Sequence, residues 1–561
     1  MLGAATVLAL FAWTTPNHYP PWLTFHGELS MAVALLLVTS WMCWRDPGSF
    51  RSPPPLAIAA FATMFIPAAQ FALGEVKFIG DVWMTSLYLG GFGLAIWLGR
   101  AAVQQFGVER VLEPMEWIIL AGAVVSTWLA LYQWQGLEYL EFFVIEIPAQ
   151  SRPYANLIQP NNLATLLVLG MLATAYLFEA GRLHRATSTL LIAVLGFGVA
   201  MTQSRTGLVE IAVAGTLIIA STRRGNAMKI RARHVAGALA IAFVMPLVWA
   251  AVRTTSSNPS GHDLAEMAQA GLRPLHWAAM VDAIERKPWA GFGWNQLGAA
   301  DYLVAIDHPA THETLAQSHN LLLDLLVWNG IPLGTLLVVV LAAWFATVLP
   351  RCNTIPKMLA FSGVLVVFLH AMLEYPLYYT YFLLPVGVWM GVLSQDCPKM
   401  HWRVPTALFP ALLTVAGAAL VATAIDYFGL EEDVRRMRFH QAHIAASAEL
   451  PDSTAPLGPS QTRILTQFTH FWNFALKRER KAMTAGELNE MEVVTLRFPS
   501  KENMLRYAAA LALNHQPESA SQVLRRICKI NTAQACELSR KIWAWRAQED
   551  QEIAAVPWPL D

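Results

Sequence analysis

The residues best suited to chemistry in this chain are one histidine and one arginine at the edges of apolar runs and a second arginine that opens an amphipathic stretch. His319 stands in Gln317-Ser318-His319-Asn320, directly before the apolar stretch that begins at Leu321 and carries Asn329-Gly330-Ile331-Pro332-Leu333-Gly334. A long polar loop re-enters the membrane there. A neutral imidazole, with an unperturbed pKa of about 6.5, can take a proton from an attacking hydroxyl at such a boundary. His308 and His312 lie in the same loop, and any of the three also reads as a solvated loop histidine; His319 alone directly precedes a span. Base catalysis of this kind is worth about 10²- to 10⁴-fold, so stabilisation of a leaving group must supply much of the rest.

Arg205 stands in Met201-Thr202-Gln203-Ser204-Arg205-Thr206-Gly207, between two apolar segments, where a guanidinium close to hydrocarbon is costly without a polar partner. Two readings stand: an arginine that snorkels to the interface, and a planar fork that grips phosphate oxygens. Arg273 opens an amphipathic stretch that runs through His276-Trp277 to Ile284 and ends at Gly291-Phe292-Gly293, where the glycines allow a tight turn. Alone it is a surface helix and a loop; paired with Arg205 it makes a two-arginine clamp for a diphosphate. Further polar groups border apolar runs in Asn17-His18-Tyr19-Pro20-Pro21-Trp22 with His26 and Glu28, in Gln159-Pro160-Asn161-Asn162, and in Glu374-Tyr375-Pro376. Trp22 and Tyr378 read as interfacial anchors. The amides and Glu374 need partners at that depth, which makes His18, Gln159, Asn161, Asn162, Glu374 and Tyr375 candidates for a donor or acceptor site. The chain has no Gly-x-x-x-x-Gly-Lys-Ser/Thr loop, no His-Glu-x-x-His and no Asp-x-Asp pair. ATP-driven and metal-dependent chemistry are therefore disfavoured, and no cofactor is expected.

The elements that must position these residues cross a membrane. Hydrophobic residues make up 55% of the 561 and charged residues 14%, with a mean hydropathy of +0.41, so a bilayer must solvate much of the surface. Apolar runs of about 16 to 22 residues, each long enough to span a core of roughly 30 Å as a helix, recur up to Ile425. About thirteen are centred near residues 8, 36, 63, 90, 124, 169, 195, 213, 243, 334, 365, 387 and 415. Met1 to Trp13 lacks a basic start and an Ala-x-Ala-like site and reads as an uncleaved first span. Arg45/Arg51, Arg100/Arg110, Arg182/Arg185, Arg223/Arg224/Lys229/Arg231/Arg233, Arg351/Lys357 and Lys399/Arg403 fall on one side, which the positive-inside rule makes cytoplasmic. The N-terminus is then inside and the tail exported. A formal net charge of zero argues against a nucleic-acid partner.

Three exported segments exceed what connection needs: 135–162, 253–318 and everything after about Asp426. The tail reads as helices. Met504 to Leu513, a turn at His515-Gln516-Pro517, and Ser521 to Ile527 make a helix pair of the kind found in helical repeats. A partnerless cap and a protein-docking module both fit such a tail. Cys528 and Cys536 lie there in an oxidising space; a bond between them requires a turn between two helices, since eight residues along one helix is too far. The expected architecture is an all-α polytopic membrane protein, with residues 1–425 as the multi-span catalytic domain, including the 253–318 loop, and residues 426–561 as an exported helical domain.

The Ser204-Arg205-Thr206-Gly207 turn, the Arg273 stretch running to Gly291-Phe292-Gly293, and the His319 segment ending at Gly334 together resemble the O-antigen ligase and polymerase superfamily. Within it, residues Pro16 to Glu28 look like the N-terminal signature of the PglL-type bacterial protein O-oligosaccharyltransferases; Gln159 to Asn162, Glu374 to Pro376 and the exported helical tail fit too. The resemblance covers nearly the whole chain. It implies transfer of a glycan from an undecaprenyl-diphosphate carrier to a Ser or Thr hydroxyl of a protein, often type IV pilin, at the periplasmic face of the bacterial inner membrane, without metal or nucleotide. Arg205 and Arg273 would bind the diphosphate and His319 would activate the acceptor. Within the superfamily the alternative acceptor is a glycan, as for an O-antigen ligase or polymerase. A flippase of lipid-linked sugars is a rival of another class, disfavoured by the lack of an internal repeat.

Overall fold

A computed structural model of the chain describes residues 1–137, 139–140, 142–148, 151–222, 229–253, 271–397, 403–441 and 462–559. Arg223, Arg224 and Lys399 of the charge pattern, and 254–270 of the exported loop, lie outside the described residues. Among the described residues every regular element is a helix, as expected where hydrocarbon leaves the backbone no partner but itself. Ten helices among the described residues are long and apolar enough to cross a membrane: Phe25–Arg45, Pro55–Ala72, Ile79–Phe106, Val108–Trp134, Pro160–Glu179, Arg185–Thr202, Arg205–Thr222, Ala232–Val252, Leu321–Arg351 and Leu408–Arg438. The remaining expected centres, near 8, 365 and 387, fall on Leu2–Thr14, Ile355–Ala371 and Thr380–Leu393, of 13, 17 and 14 residues. At 1.5 Å per residue these reach about 20 to 26 Å, short of a roughly 30 Å core. Polar breaks shorten them: the first ends before Pro16, and Glu374 to Tyr379 separates the other two.

The chain forms two compact units. One comprises Met1–Thr63, Tyr88–Gln269 and Val340–Leu420; the other comprises Met64–Leu87, Ala270–Val339 and Val421–Asp561. In the first, helix Pro160–Glu179 is buried along most of its length, packed by Val108–Trp134, Arg185–Thr202, Arg205–Thr222 and Ile355–Ala371. Its first turn carries Asn161 and Asn162.

The second unit joins the described part of the exported loop to the tail. Of the tail helices Thr466–Leu476, Ala485–Arg497, Lys501–Leu513, Pro517–Ile530 and Ala533–Glu549, the last four begin at readable signals. Thr484 and Glu487 form a capping box, Ser500 and Thr532 cap through their hydroxyls, and Pro517 occupies a first-turn position. Met491, Val494, Met504, Leu524, Ile527 and Trp543 fill their core, which Phe78 and Ala305 join. Arg497 grips buried Asp81 through two hydrogen bonds of 2.9 Å. Cys528 and Cys536 are bonded, their Cα atoms 4.8 Å apart, because Asn531 and Thr532 turn the chain between two helices.

Helix Leu321–Val348 breaks at Gly330, where φ is 70° and ψ 176°. The Pro288-to-Gly293 turn docks into this break: Ile331 N donates to Pro288 O at 2.6 Å, Phe292 N to Val327 O at 2.8 Å and Gly293 N to Trp328 O at 3.0 Å. A Cβ at Gly330 would lie 2.5 Å from Trp289 O, and one at Gly291 would lie 2.6 Å from Trp328 O. The glycines of both sequence segments thus serve one backbone junction. It holds the end of helix Arg273–Arg286 against the helix that follows His319.

Candidate active site

In the second unit, Arg273, His276 and Trp277 are spaced i, i+3 and i+4 on helix Arg273–Arg286 and so share a face. Trp277 Nε1 donates to Ser318 O at 3.0 Å, pinning the residue next to His319. His276 is 1% exposed and lies near parallel to the His319 ring, with centroids 6.4 Å apart and planes at 21°. Burial, followed by the electrostatic influence of nearby His319 and Arg273, pushes His276 down to about 4. It is therefore neutral near pH 7. Glu313 Oε2 lies 3.7 Å from His276 Nε2, too far for a hydrogen bond.

His319 adopts a left-handed backbone with φ of 57°, a conformation uncommon outside glycine and concentrated at functional sites. Its neighbours enforce the turn. Ser318 N donates to Asp324 Oδ1 at 2.9 Å, and Ser318 Oγ donates to Asn320 O at 2.9 Å. Asn320 Oδ1 accepts from Leu322 N at 3.0 Å and Leu323 N at 3.3 Å, capping the helix that follows. Ser318 and Asp324 are both buried. The half-buried imidazole thus projects from a fixed turn beside a neutral histidine, on the same unit as Arg273.

In the first unit, Arg205 opens its helix after left-handed Gln203, with φ of 49°. Ser204 Oγ accepts from Gly207 N at 3.1 Å, and Thr202 Oγ1 accepts from Ser204 N at 3.2 Å, so the turn is capped from within while the Arg205 side chain stays exposed. A second guanidinium serves this turn: Arg152 Nη1 donates to Thr202 O at 3.4 Å. Burial pushes Arg152 below the ordinary arginine range; Glu374 opposes that shift and Arg205 adds to it. Glu374 in turn accepts from Gln159 Nε2 and Asn161 Nδ2, each at 3.0 Å. Asn162 is fully buried and donates to Leu157 O at 3.4 Å, and the Tyr375 ring lies 6.0 Å from those of Tyr378 and Tyr379.

His18 is held by backbone on both sides, with Nδ1 2.5 Å from Leu23 O and Nε2 2.9 Å from Asn156 O; burial lowers its pKa. Nearby Glu28 collects Trp22, Thr24, Tyr88 and Thr380 around one buried carboxyl group. Among the described residues no group of three or more His, Cys, Asp or Glu side chains is arranged to hold a metal ion.

Sequence reasoning gave no role to Arg152, His276 or Asp324. His276 was legible through its i+3 spacing from Arg273. Asp324 was legible as an acid in the first turn of an otherwise apolar span. Nothing local marks Arg152, whose partners are 50 or more residues away along the chain.

The fold and these two clusters define a polytopic, all-helical membrane protein with a histidine-centred cluster outside its spans. Residues 190–338 match the family described as O-Antigen ligase, and residues 358–538 match that described as Virulence factor membrane-bound polymerase, C-terminal. Over 539 residues, 93% of this chain and 91% of the relative, the sequence is 30% identical to the general O-oligosaccharyltransferase of Acinetobacter baylyi (strain ATCC 33305 / BD413 / ADP1). Over 339 residues, 59% of this chain and 60% of the relative, it is 28% identical to the ComP-specific O-oligosaccharyltransferase of the same organism. The chain belongs to the PglL-type O-oligosaccharyltransferase family.

Proposed function

We propose that this protein transfers an oligosaccharide from undecaprenyl diphosphate to Ser or Thr hydroxyls of periplasmic proteins, type IV pilin among them. It does so at the periplasmic face of the bacterial inner membrane, with the N-terminus cytoplasmic, residues 1–425 as the catalytic membrane domain and residues 426–561 as a periplasmic helical domain. The observation that carries this reading is the His319 turn, in which Ser318, Asn320, Asp324 and Trp277 fix an imidazole beside neutral His276.

The transfer is a single displacement. His319 accepts the hydroxyl proton as the acceptor oxygen bonds to the anomeric carbon; the bond from that carbon to the phosphate oxygen breaks, and undecaprenyl diphosphate departs with the electron pair. Arg205 and Arg273 hold the departing diphosphate, acting on rate to the extent that they grip it more strongly in the transition state than in the ground state. The exposed Arg205 side chain on its internally capped turn and the position of Arg273 one helical turn before His276 support those roles. Neutral His276 supports the base assignment for a simple reason: a second imidazolium beside His319 would disfavour the proton that His319 must take up. Gln159, Asn161 and Glu374, with Asn162 and Tyr375 of the same two motifs and His18 of the Asn17-to-Trp22 segment, are assigned to donor or acceptor recognition. A glycan acceptor is the second reading, favoured by the matches of residues 190–338 and 358–538 to ligase and polymerase families.

The test is release of undecaprenyl diphosphate from lipid-linked oligosaccharide in vesicles holding the purified enzyme, with pilin or lipid A–core sugar as acceptor. Pilin-dependent release supports protein transfer. Release only with the glycan acceptor supports the second reading, and carrier moved across the bilayer without release would make the protein a flippase.

A further inference from the structure

The chain between Asp307 and His319 has no regular structure of its own beyond the turn it makes against the tail. Thr311 N and His312 N both donate to Lys529 O, at 3.0 and 3.1 Å. Thr314 Oγ1 donates to Ile530 O at 2.9 Å, His312 Nδ1 lies 3.3 Å from Asn531 O, and Lys529 Nζ donates back to His308 O at 3.1 Å. The accepting carbonyls lie at the end of helix Pro517–Ile530. A helix leaves its last carbonyls without internal partners, at the negative end of its dipole; here the loop leading to His319 supplies donors to that end.

That helix end is itself locked. Cys528 in it is bonded to Cys536 in the next helix. Asn531 Nδ2 donates to Ile527 O at 3.2 Å, and Thr532 Oγ1 accepts from Ala535 N at 3.2 Å. Asn531 and Ile530 are buried. From Thr314 only a short stretch, with Leu315 buried, leads to Ser318, which Asp324 and Trp277 fix from the other side.

We propose that the disulfide-closed turn Cys528–Cys536 is a positioning clamp for the His319 loop, so that the tail contributes to the chemical step itself and not only to acceptor capture. The proposal rests on the reading of His319 as the base. In an oxidising compartment the bond persists and holds the carbonyls of Lys529, Ile530 and Asn531 in the register that Thr311, His312 and Thr314 require. Thr314 and the two cysteines are positioning residues; none is assigned to substrate. A reactive group displaced by about 1 Å through a remote change loses on the order of 10²-fold in rate, so loosening the clamp lowers kcat rather than acceptor binding.

The experiment uses the full-length enzyme in vesicles with saturating lipid-linked oligosaccharide and two acceptors, folded pilin and a short serine-containing peptide from it. Wild type is compared, at matched folded amounts, with Cys528→Ser/Cys536→Ser, Thr314→Val, Thr314→Ser and His319→Ala. The expected result is a kcat roughly 10- to 100-fold lower for the double cysteine variant and reduced for Thr314→Val, with both acceptors, acceptor KM unchanged and Thr314→Ser restored. Should the double cysteine variant fold poorly, Thr314→Val and its serine rescue carry the same test, since one hydroxyl is changed. A rise in KM confined to folded pilin, or wild-type kcat in the clamp variants, overturns the proposal. Transfer that survives His319→Ala overturns the base assignment instead, whereas transfer lost in His319→Ala and intact in the clamp variants overturns the clamp alone.

Discussion

Asp324 offers a measure of how far the fixed turn matters to transfer. Its Oδ1 accepts from Ser318 N at 2.9 Å, and Ser318 and Asp324 are 0% and 2% exposed. Asp324→Ala leaves that amide buried without this acceptor, which costs about 1–3 kcal/mol. If the turn then relaxes to recover a partner, His319 moves with it, and the same free energy appears as a rate loss of roughly 5- to 150-fold. Asp324→Asn keeps a carbonyl oxygen at the accepting position, so it should recover most of the loss. The assay is single-turnover transfer to pilin with saturating lipid-linked oligosaccharide, at amounts of folded enzyme matched by size-exclusion chromatography in detergent. Wild-type transfer by Asp324→Ala would refute the idea that the turn sets the reactive geometry. Equal losses in the alanine and asparagine variants would show that the carboxylate, rather than its acceptor oxygen, is what His319 requires.

Arg205→Lys keeps the charge but loses the bidentate fork and should transfer roughly tenfold more slowly or worse, the worth of one charge-assisted hydrogen bond; near-normal transfer would remove Arg205 from the diphosphate role. Gly330→Ala puts a Cβ 2.5 Å from Trp289 O at a φ of 70°, in a backbone region costing non-glycine residues about 1–3 kcal/mol, and should lower the melting temperature in detergent; an unchanged melting curve would mean the junction yields freely. His276 has a lower pKa folded, about 4, than the 6.5 of an unperturbed histidine. Between those values the unfolded chain binds more protons, so the contribution of neutral His276 is complete above about pH 6.5 and is lost as pH falls toward 4. The melting temperature of the wild type should therefore drop between pH 7 and pH 5, and His276→Phe should flatten that drop; parallel curves would show that another group is responsible.

The helices were legible where hydrophobicity alone decides them. Each expected centre falls on a helix, and residues 185–222 divide into two helices on either side of Gln203 and Ser204, as the placing of Arg205 between two apolar segments implied. Lengths were less legible, because Pro16 and the Glu374-to-Tyr379 break truncate three helices that composition alone would extend. The residue types and spacing left the Cys528–Cys536 bond open and showed only that it would require a turn between two helices; the structure has both the turn and the bond. Short-range signals also marked the His319 turn: Asn320 caps, and Asp324 stands one turn on. The grip of Lys529, Ile530 and Asn531 on the loop was not readable, since its partners lie 216 to 219 residues apart and meet through backbone carbonyls that any side chain provides. The same holds for Arg152 and Glu374, whose mutual influence depends on how separate helices pack in the first unit.

The most direct test is intact-protein mass spectrometry of a co-expressed pilin, with lipid-linked glycan supplied, comparing wild type with His319→Ala at equal membrane levels. A glycan-sized mass increase with wild type that disappears in the variant is the predicted result. An increase that persists in the variant would place the base elsewhere, and no increase with wild type would contradict transfer to pilin.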